Sequence, residues 1–217
     1  MKIGLLGKKL GMTRVYDTKG VIIPVTVIEA GGNTLLQKKT AETDGYVGVK
    51  VGFDTQKEQR VIKPDLGQFK KAGSEPKKLV KEFRLPDGAV LGDAVDLSVK
   101  QFAVGDVVDV IGRSKGHGFQ GVVKKHNMSG QNQTHGSMMH RRNGAIGMRS
   151  TPGRIWKNMG MPGHMGDERV TVQNLKVVQV REEEGVILVS GAVPGKPGCY
   201  VVVRPAKKTK VSKEAGK

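Results

Sequence analysis

From Val110 to Gly166 the chain runs 57 residues without one aspartate or glutamate. That stretch holds nine Lys and Arg, all five His, twelve Gly and seven of the nine Met. The remaining 160 residues carry 28 basic and 20 acidic groups, close to the balance of an ordinary surface. Core-forming side chains are thin in the acid-free stretch: after Phe119, Val122 and Val123 come Ile146, Ile155, Trp156 and scattered Met. It cannot close a core by itself, and it far exceeds the connections of about 2 to 6 residues that usually join elements. It is therefore disordered alone or shaped by something it lies against. Unopposed positive charge makes that something phosphate-rich. A solvated basic linker is the competing reading. Against it stand Trp156, Ile155 and the methionines, which are costly to leave in water, and the lack of Ser/Gly monotony.

The rest of the composition bounds the setting. With 217 residues the chain is one ordinary domain, or a core with a large appendage. Thirty-seven Lys and Arg against 20 Asp and Glu give a formal charge of +17, which calls for a polyanionic partner. A single cysteine, Cys199, excludes an internal disulfide framework and any multi-cysteine zinc site, and is compatible with a reducing compartment. Gly and Lys interrupt the opening Met1 to Lys9 before an apolar run forms, so no secretory leader is expected, and no stretch approaches the ~18 apolar residues of a membrane span. The expectation is a soluble, cytoplasmic protein that binds a polyanion.

The flanks read as mainly β. Thr13 to Tyr16 and Val21 to Ala30 form a hairpin about Asp17–Gly20, with Pro24 marking an edge or bulge. Thr34 to Thr40, Tyr46 to Phe53 and Val104 to Ile111 follow as strands between Gly-rich turns. After Asp167 come Val170 to Arg181, Val186 to Ser190 and Tyr200 to Val203, then a basic tail from Arg204 to Lys217. Helical periodicity is limited to Pro64–Lys71, Pro76–Phe83 and Phe119–His126. Short, regularly spaced strands argue a closed or nearly closed barrel. The domain reading is a globular β part over 1–109 and 167–217, with residues 110–166 as an excursion from it.

Three chemical motifs fall short. Gly116, Gly118 and Gly121 match a dinucleotide fingerprint, but the site needs an acid about 20 residues on and alternating strands and helices. The next acid is Asp167. These glycines better serve to flatten the backbone, so that amides and Lys115, Lys124 and Lys125 approach phosphates. The histidines lack the Cys or carboxylate partners of a tetrahedral metal set. The serines of the stretch lack an acid to orient a histidine base. No enzyme, cofactor, metal or small-molecule substrate is expected. Charge alone would also suit a general DNA-compacting protein.

Several blocks are familiar in order: GLLGKKLGMTR (Gly4 to Arg14), PVTVIEA (Pro24 to Ala30), EFRL (Glu82 to Leu85), SKGHGFQGVVKKHN (Ser114 to Asn127), THGS (Thr134 to Ser137), STPGRIWKNMGMPGHMGDERVTVQNL (Ser150 to Leu175) and GAVPG (Gly191 to Gly195). On these the chain resembles the bacterial-type large-subunit ribosomal protein L-three family along almost its whole length. The resemblance implies a six-stranded barrel of the translation-factor type with a long, irregular basic hairpin extension threading through 23S-type ribosomal RNA. It implies early binding in subunit assembly, other large-subunit proteins as neighbours, and an extension tip that approaches the peptidyl transferase centre without joining its chemistry. By position the tip falls at Gly147, Met148, Arg149, Ser150 and Thr151. Family members often carry an N-methylated glutamine two residues before the Pro-Gly of the tip. Here that place is Ser150, so the modification is expected to be absent there, and it does not transfer to Gln133 on the other arm. The residues expected to touch rRNA are Lys8, Lys9, Arg14, Arg113, Lys115, His117, Lys124, Lys125, His126, His135, His140, Arg141, Arg142, Arg149, Arg154, Trp156, Lys157 and His164.

Overall fold

A computed structural model describes residues 3–86 and 97–208. In chain order its strands are β1 (Leu5–Tyr16), β2 (Ile22–Glu29), β3 (Thr34–Lys39), β4 (Gly48–Thr55), β5 (Lys77–Arg84), β6 (Val107–Arg113), β7 (Gly118–Gln120), β8 (Gly163–Met165), β9 (Arg169–Arg181), β10 (Val186–Ser190) and β11 (Tyr200–Pro205). The helices are short: α1 (Ala41–Asp44), α2 (Lys63–Lys71) and α3 (Val122–His126). The chain is mainly β, as its turn punctuation implies. It divides into two compact units, residues 1–113 with 169–217, and residues 114–168. The expected basic tail begins inside β11, and its residues 209–217 lie outside the described residues.

In the first unit six strands hydrogen-bond into a closed ring in the order β1-β11-β6-β9-β10-β2, each neighbouring pair antiparallel. Strand β10 carries the apolar run Val186-Ile187-Leu188-Val189, buried on both faces. Ile187 and Val189 join the main core with Leu5, Ile28, Val110 and Val201, while Val186 and Leu188 pack with Val25 in a second cluster. A strand covered on both sides needs such an unbroken run. Pro24 sits just past the β2–β10 register: its carbonyl accepts from Gly191 N at 2.8 Å, and the Gly191 carbonyl, with no N–H on Pro24 to take, accepts from the Thr26 hydroxyl at 2.7 Å.

Strand β1 begins at Leu5, eight residues before the hairpin expected at Thr13. The glycine that interrupts this run is there for close packing. A Cβ at Gly7 would stand 2.7 Å from the Glu29 carbonyl oxygen and 2.7 Å from Ile28 Cγ2. Between β6 and β9 the register slips between Val108 and Val110, and Asn174 adopts a left-handed φ of 58°. The slip is a β-bulge, which frees ladder groups. Asp109, 1 % exposed, supplies the partner: its carboxylate accepts from Asn174 N at 3.2 Å and Lys207 N at 3.3 Å, and lies 3.5 Å from Arg204 Nη2.

A second sheet of the same unit runs β3-β4-β5. Val49, Val51 and Phe53 of β4 enter the core, alternating with Gly48, Lys50 and Gly52. Segment Pro76–Phe83, expected as a helix, is strand β5, paired with β4 from Gly48↔Arg84 to Thr55↔Lys77. Leu79 and Phe83 are four apart, a spacing that shares a helix face and equally one side of a strand. The open edge of β4 and the core behind it decide for the strand, because both side chains pack there. Pro64–Lys71 does form a helix, α2, with Pro64 in its first turn, Asp65 near its N-terminus and Lys70 and Lys71 near its C-terminus. Glu82 of β5 meets Lys39 at 3.0 Å and accepts from the Tyr46 hydroxyl at 2.8 Å; Lys39 also donates to Tyr46 at 2.7 Å. The hydrogen bond from Tyr46, then that from Lys39, holds the Glu82 carboxyl below its ordinary range. Tyr46, then Glu82, raises the Lys39 ammonium.

Candidate nucleic-acid interface

The second unit has little regular structure. Strands β7 and β8 form a three-pair antiparallel ladder, Gly118↔Met165, Phe119↔His164 and Gln120↔Gly163. The expected helix Phe119–His126 is split, with Phe119 in β7 and α3 starting only at Val122. In the whole unit Val122 is the one side chain that is buried. Backbone contacts at glycine and turn positions hold the remainder. Gly130, at φ 81°, lies where a Cβ would stand 2.8 Å from the His140 carbonyl oxygen, and Gln131 N donates to that same oxygen at 2.8 Å. Gly166, at φ 74°, lies where a Cβ would overlap the Lys115 carbonyl. No side chain could replace either glycine without moving the opposite backbone.

The expected contact residues divide by environment. Lys115, His117, Lys124, His126, His135, His140, Arg141, Arg142, Arg149, Arg154, Trp156, Lys157 and His164 are exposed in this unit, and Lys125 is half-buried. Helix α3 carries Lys124, Lys125 and His126 in its last turn. The Lys125 ammonium reaches Gly163, where a Cβ would be 2.9 Å away, and a ring nitrogen of His126 lies 3.0 Å from the Met161 carbonyl oxygen. A turn in which Arg142 N donates to Met139 O at 2.8 Å presents Arg141 and Arg142 together. The Arg154 guanidinium stands 5.5 Å from the centre of the Trp156 ring, so the pair offers a flat, cationic face. Residues Gly147, Met148, Arg149, Ser150 and Thr151 are all exposed, ahead of a cis Thr151–Pro152 bond and Gly153 at φ 67°.

In the barrel unit, Arg14 is exposed on β1 opposite Pro24, Lys8 is half-buried, and Arg113 is exposed at the end of β6 opposite Arg169. Lys9 departs from the expectation. It is 7 % exposed, and its ammonium donates to Val193 O at 2.7 Å and Gly195 O at 3.1 Å. That cation is engaged inside the fold, where it ties β1 to the loop before β11. Charge type in a sequence does not reveal this; only the carbonyls around it do.

One residue absent from the expectation belongs with the exposed set. Phe119 is 75 % exposed, on the ladder opposite the exposed His164. Its placement in a run free of carboxylates, between Lys115 and Lys124, was the available signal. Exposed rings beside cations suit base stacking next to phosphates. The dinucleotide motif meets a different geometry: Gly118 starts a three-residue strand in an antiparallel pair, and the five-residue α3 closes no parallel βαβ unit. Among the described residues no group of three or more His, Cys, Asp or Glu could hold a metal ion, and no helix is long and apolar enough to cross a membrane.

Residues 29–186 match the family model described as ribosomal protein L3. A protein of Akkermansia muciniphila called large ribosomal subunit protein uL3 is 57 % identical over 210 residues, covering 96 % of this chain and 100 % of the relative. Proteins of the same name from Streptococcus pyogenes serotype M5 and Brachyspira pilosicoli are 50 % and 47 % identical, covering 96 % and 98 % of this chain and 99 % and 97 % of the relatives. With a family match over most of its length and relatives spanned nearly end to end, the chain belongs to the ribosomal protein L3 family.

Proposed function

We propose that the protein is a structural constituent of the large ribosomal subunit in the cytoplasm, binding 23S-type rRNA directly and nucleating early subunit assembly beside neighbouring large-subunit proteins. In this reading the ring of six strands is a translation-factor-type barrel. Residues 114–166 are a hairpin extension that penetrates the RNA and brings Gly147 to Thr151 toward the peptidyl transferase centre; the expected start at Val110 moves to Ser114 because β6 keeps 110–113 in the ring. One observation carries it: residues 114–166 hold no carboxylate, present exposed cations and rings, and bury only the Val122 side chain. Family membership supports the same reading.

The mechanism is electrostatic and architectural. Arginines and lysines of the arm neutralise phosphates where RNA helices crowd, which lowers their mutual repulsion. Glycines permit close approach of backbone to RNA, while Phe119, Trp156, His and Met stack or fill gaps. Because the native RNA fold is bound more tightly than alternatives, the protein shifts the RNA population toward the assembled form. The chain's own residues supply binding and orientation, and no catalytic step is assigned to them.

Replacing Arg141, Arg142 and Arg154 together by Ala tests the charge mechanism. In filter binding to an rRNA fragment, the slope of log affinity against log salt is expected to fall by about 0.7 to 0.9 per lost phosphate contact. An unchanged slope removes these contacts. Equal affinity for duplex DNA would favour a general compacting role. A hydroxyl-radical probe tethered at Ser150→Cys, in a Cys199→Ser background, is expected to cut rRNA around the peptidyl transferase centre. Cleavage only elsewhere refutes the tip placement.

A further inference from the structure

Seven of the nine methionines lie in the acid-free arm, and they differ sharply in surroundings. Met138 is 87 % exposed and Met148 77 %, far above Met139 at 41 % and Met159 at 39 %. Met128, Met161 and Met165 are half-buried. The Met161 sulfur sits 3.9 Å from Asn143 Nδ2, and the Met128 methyl presses on Gly160, where a Cβ would be 2.7 Å from it. Methionine normally fills irregular gaps in a packed interior. The Met138 thioether fills none in this chain, and small oxidants can reach it.

We propose that Met138, followed by Met148, is a peroxide-modification site of the protein before it meets RNA, and that oxidation at Met138 weakens RNA binding. The second half rests on the rRNA-binding reading above. In the step itself a sulfur lone pair attacks one oxygen of a hydroperoxide. The O–O bond breaks as the S–O bond forms, and the proton of the attacked oxygen passes to the departing one. Sulfur loses two electrons to give the sulfoxide, and the peroxide is reduced to water or an alcohol. No charge is gained, yet a soft apolar group becomes a polar one with a strong acceptor oxygen. Arg141 and Arg142 follow within four residues, and a sulfoxide oxygen within their reach would compete with phosphate for their donors.

The test uses the full chain. Limiting hydrogen peroxide followed by peptide mass mapping is expected to give sulfoxide at Met138, then Met148, roughly fivefold or more faster than at Met128, Met161 and Met165. In filter binding, the treated protein is expected to hold an rRNA fragment roughly threefold or more weakly than the untreated protein, with recovery after methionine sulfoxide reductase. In Met138→Leu the ratio of treated to untreated affinity should move most of the way back to one. Equal reactivity across the methionines, an unaltered affinity after oxidation, or an equally sensitive Met138→Leu would each overturn the proposal. If untreated protein fails to bind the fragment, the rRNA reading fails instead, and the modification site is decided by the mapping alone.

Discussion

Val186, Ile187, Leu188 and Val189 are enclosed to 6 % exposure or less, whereas Ile146, Met148, Ile155 and Trp156 stand 38 % to 77 % exposed. The side chains are of one chemical kind, and the two regions use them oppositely. In the barrel, apolar surface meets apolar surface of the same chain, and burial is the driving force. In the arm, apolar groups are interspersed with cations and glycines and find no interior to enter. The barrel unit holds the main apolar core, and the arm's cations and rings face outward.

That contrast can be broken from either side. The largest effect belongs to the barrel core: Ile187→Ala is expected to cost about 2 to 5 kcal/mol in urea unfolding, through lost burial and the cavity left behind. Asp109→Ala should cost about 2 to 4 kcal/mol, because the bulge amide of Asn174 loses its acceptor and Arg204 its carboxylate. A loss below about 0.5 kcal/mol for both would show that the ring is not the stable part. In the arm the signs should be exchanged between assays. Trp156→Ala and Phe119→Ala are expected to leave the unfolding midpoint within about 0.5 kcal/mol, yet to weaken rRNA-fragment binding by about 1 to 3 kcal/mol per stacked ring. A large loss of stability with intact binding would reverse the comparison.

The smallest effect sharpens the barrel side further. Glu82 is held below its ordinary 4.5, so its contribution is full above that pH and is lost as pH falls through the lower folded-state value. Lys39 is raised above 10.5, and its contribution is full below that pH and lost as pH climbs through the higher one. Stability profiles of Glu82→Gln should therefore be flatter than those of the parent at the acid end. Parallel profiles would place the acid dependence elsewhere.

How far the chain could be read in advance follows the same division. Strands β2, β9 and β10 were legible because turn residues bracket them and their apolar runs are dense. The start of β1 was not, since Gly7 looks like an interruption until the Glu29 carbonyl it must admit is known. Strand β5 was misread because Leu79 and Phe83 satisfy two periodicities, and a partner strand chooses between them. Ladder β7–β8 joins residues about 45 apart in a segment with no alternation to announce it. For the candidate site, the absence of carboxylates pointed to the arm from composition alone but set its start at Val110, inside β6, because a strand can run on past its last acid. What composition could not tell was environment: Lys9 is drawn inside by two carbonyls, and Phe119 is pushed out by a strand.

The pairing of β1 with β11 sets Leu5 against Val203, and Lys9 N takes its acceptor from Cys199. The ring is thus sealed by its first and last strands, a contact spanning nearly the whole polypeptide. Such distant pairing is slow to form and must wait for the later partner. During synthesis residues 114–168 emerge before β11 does, so a nascent chain presents its cationic arm while its own ring is still open. A molecule built in that order can begin to engage a polyanion before it has finished folding.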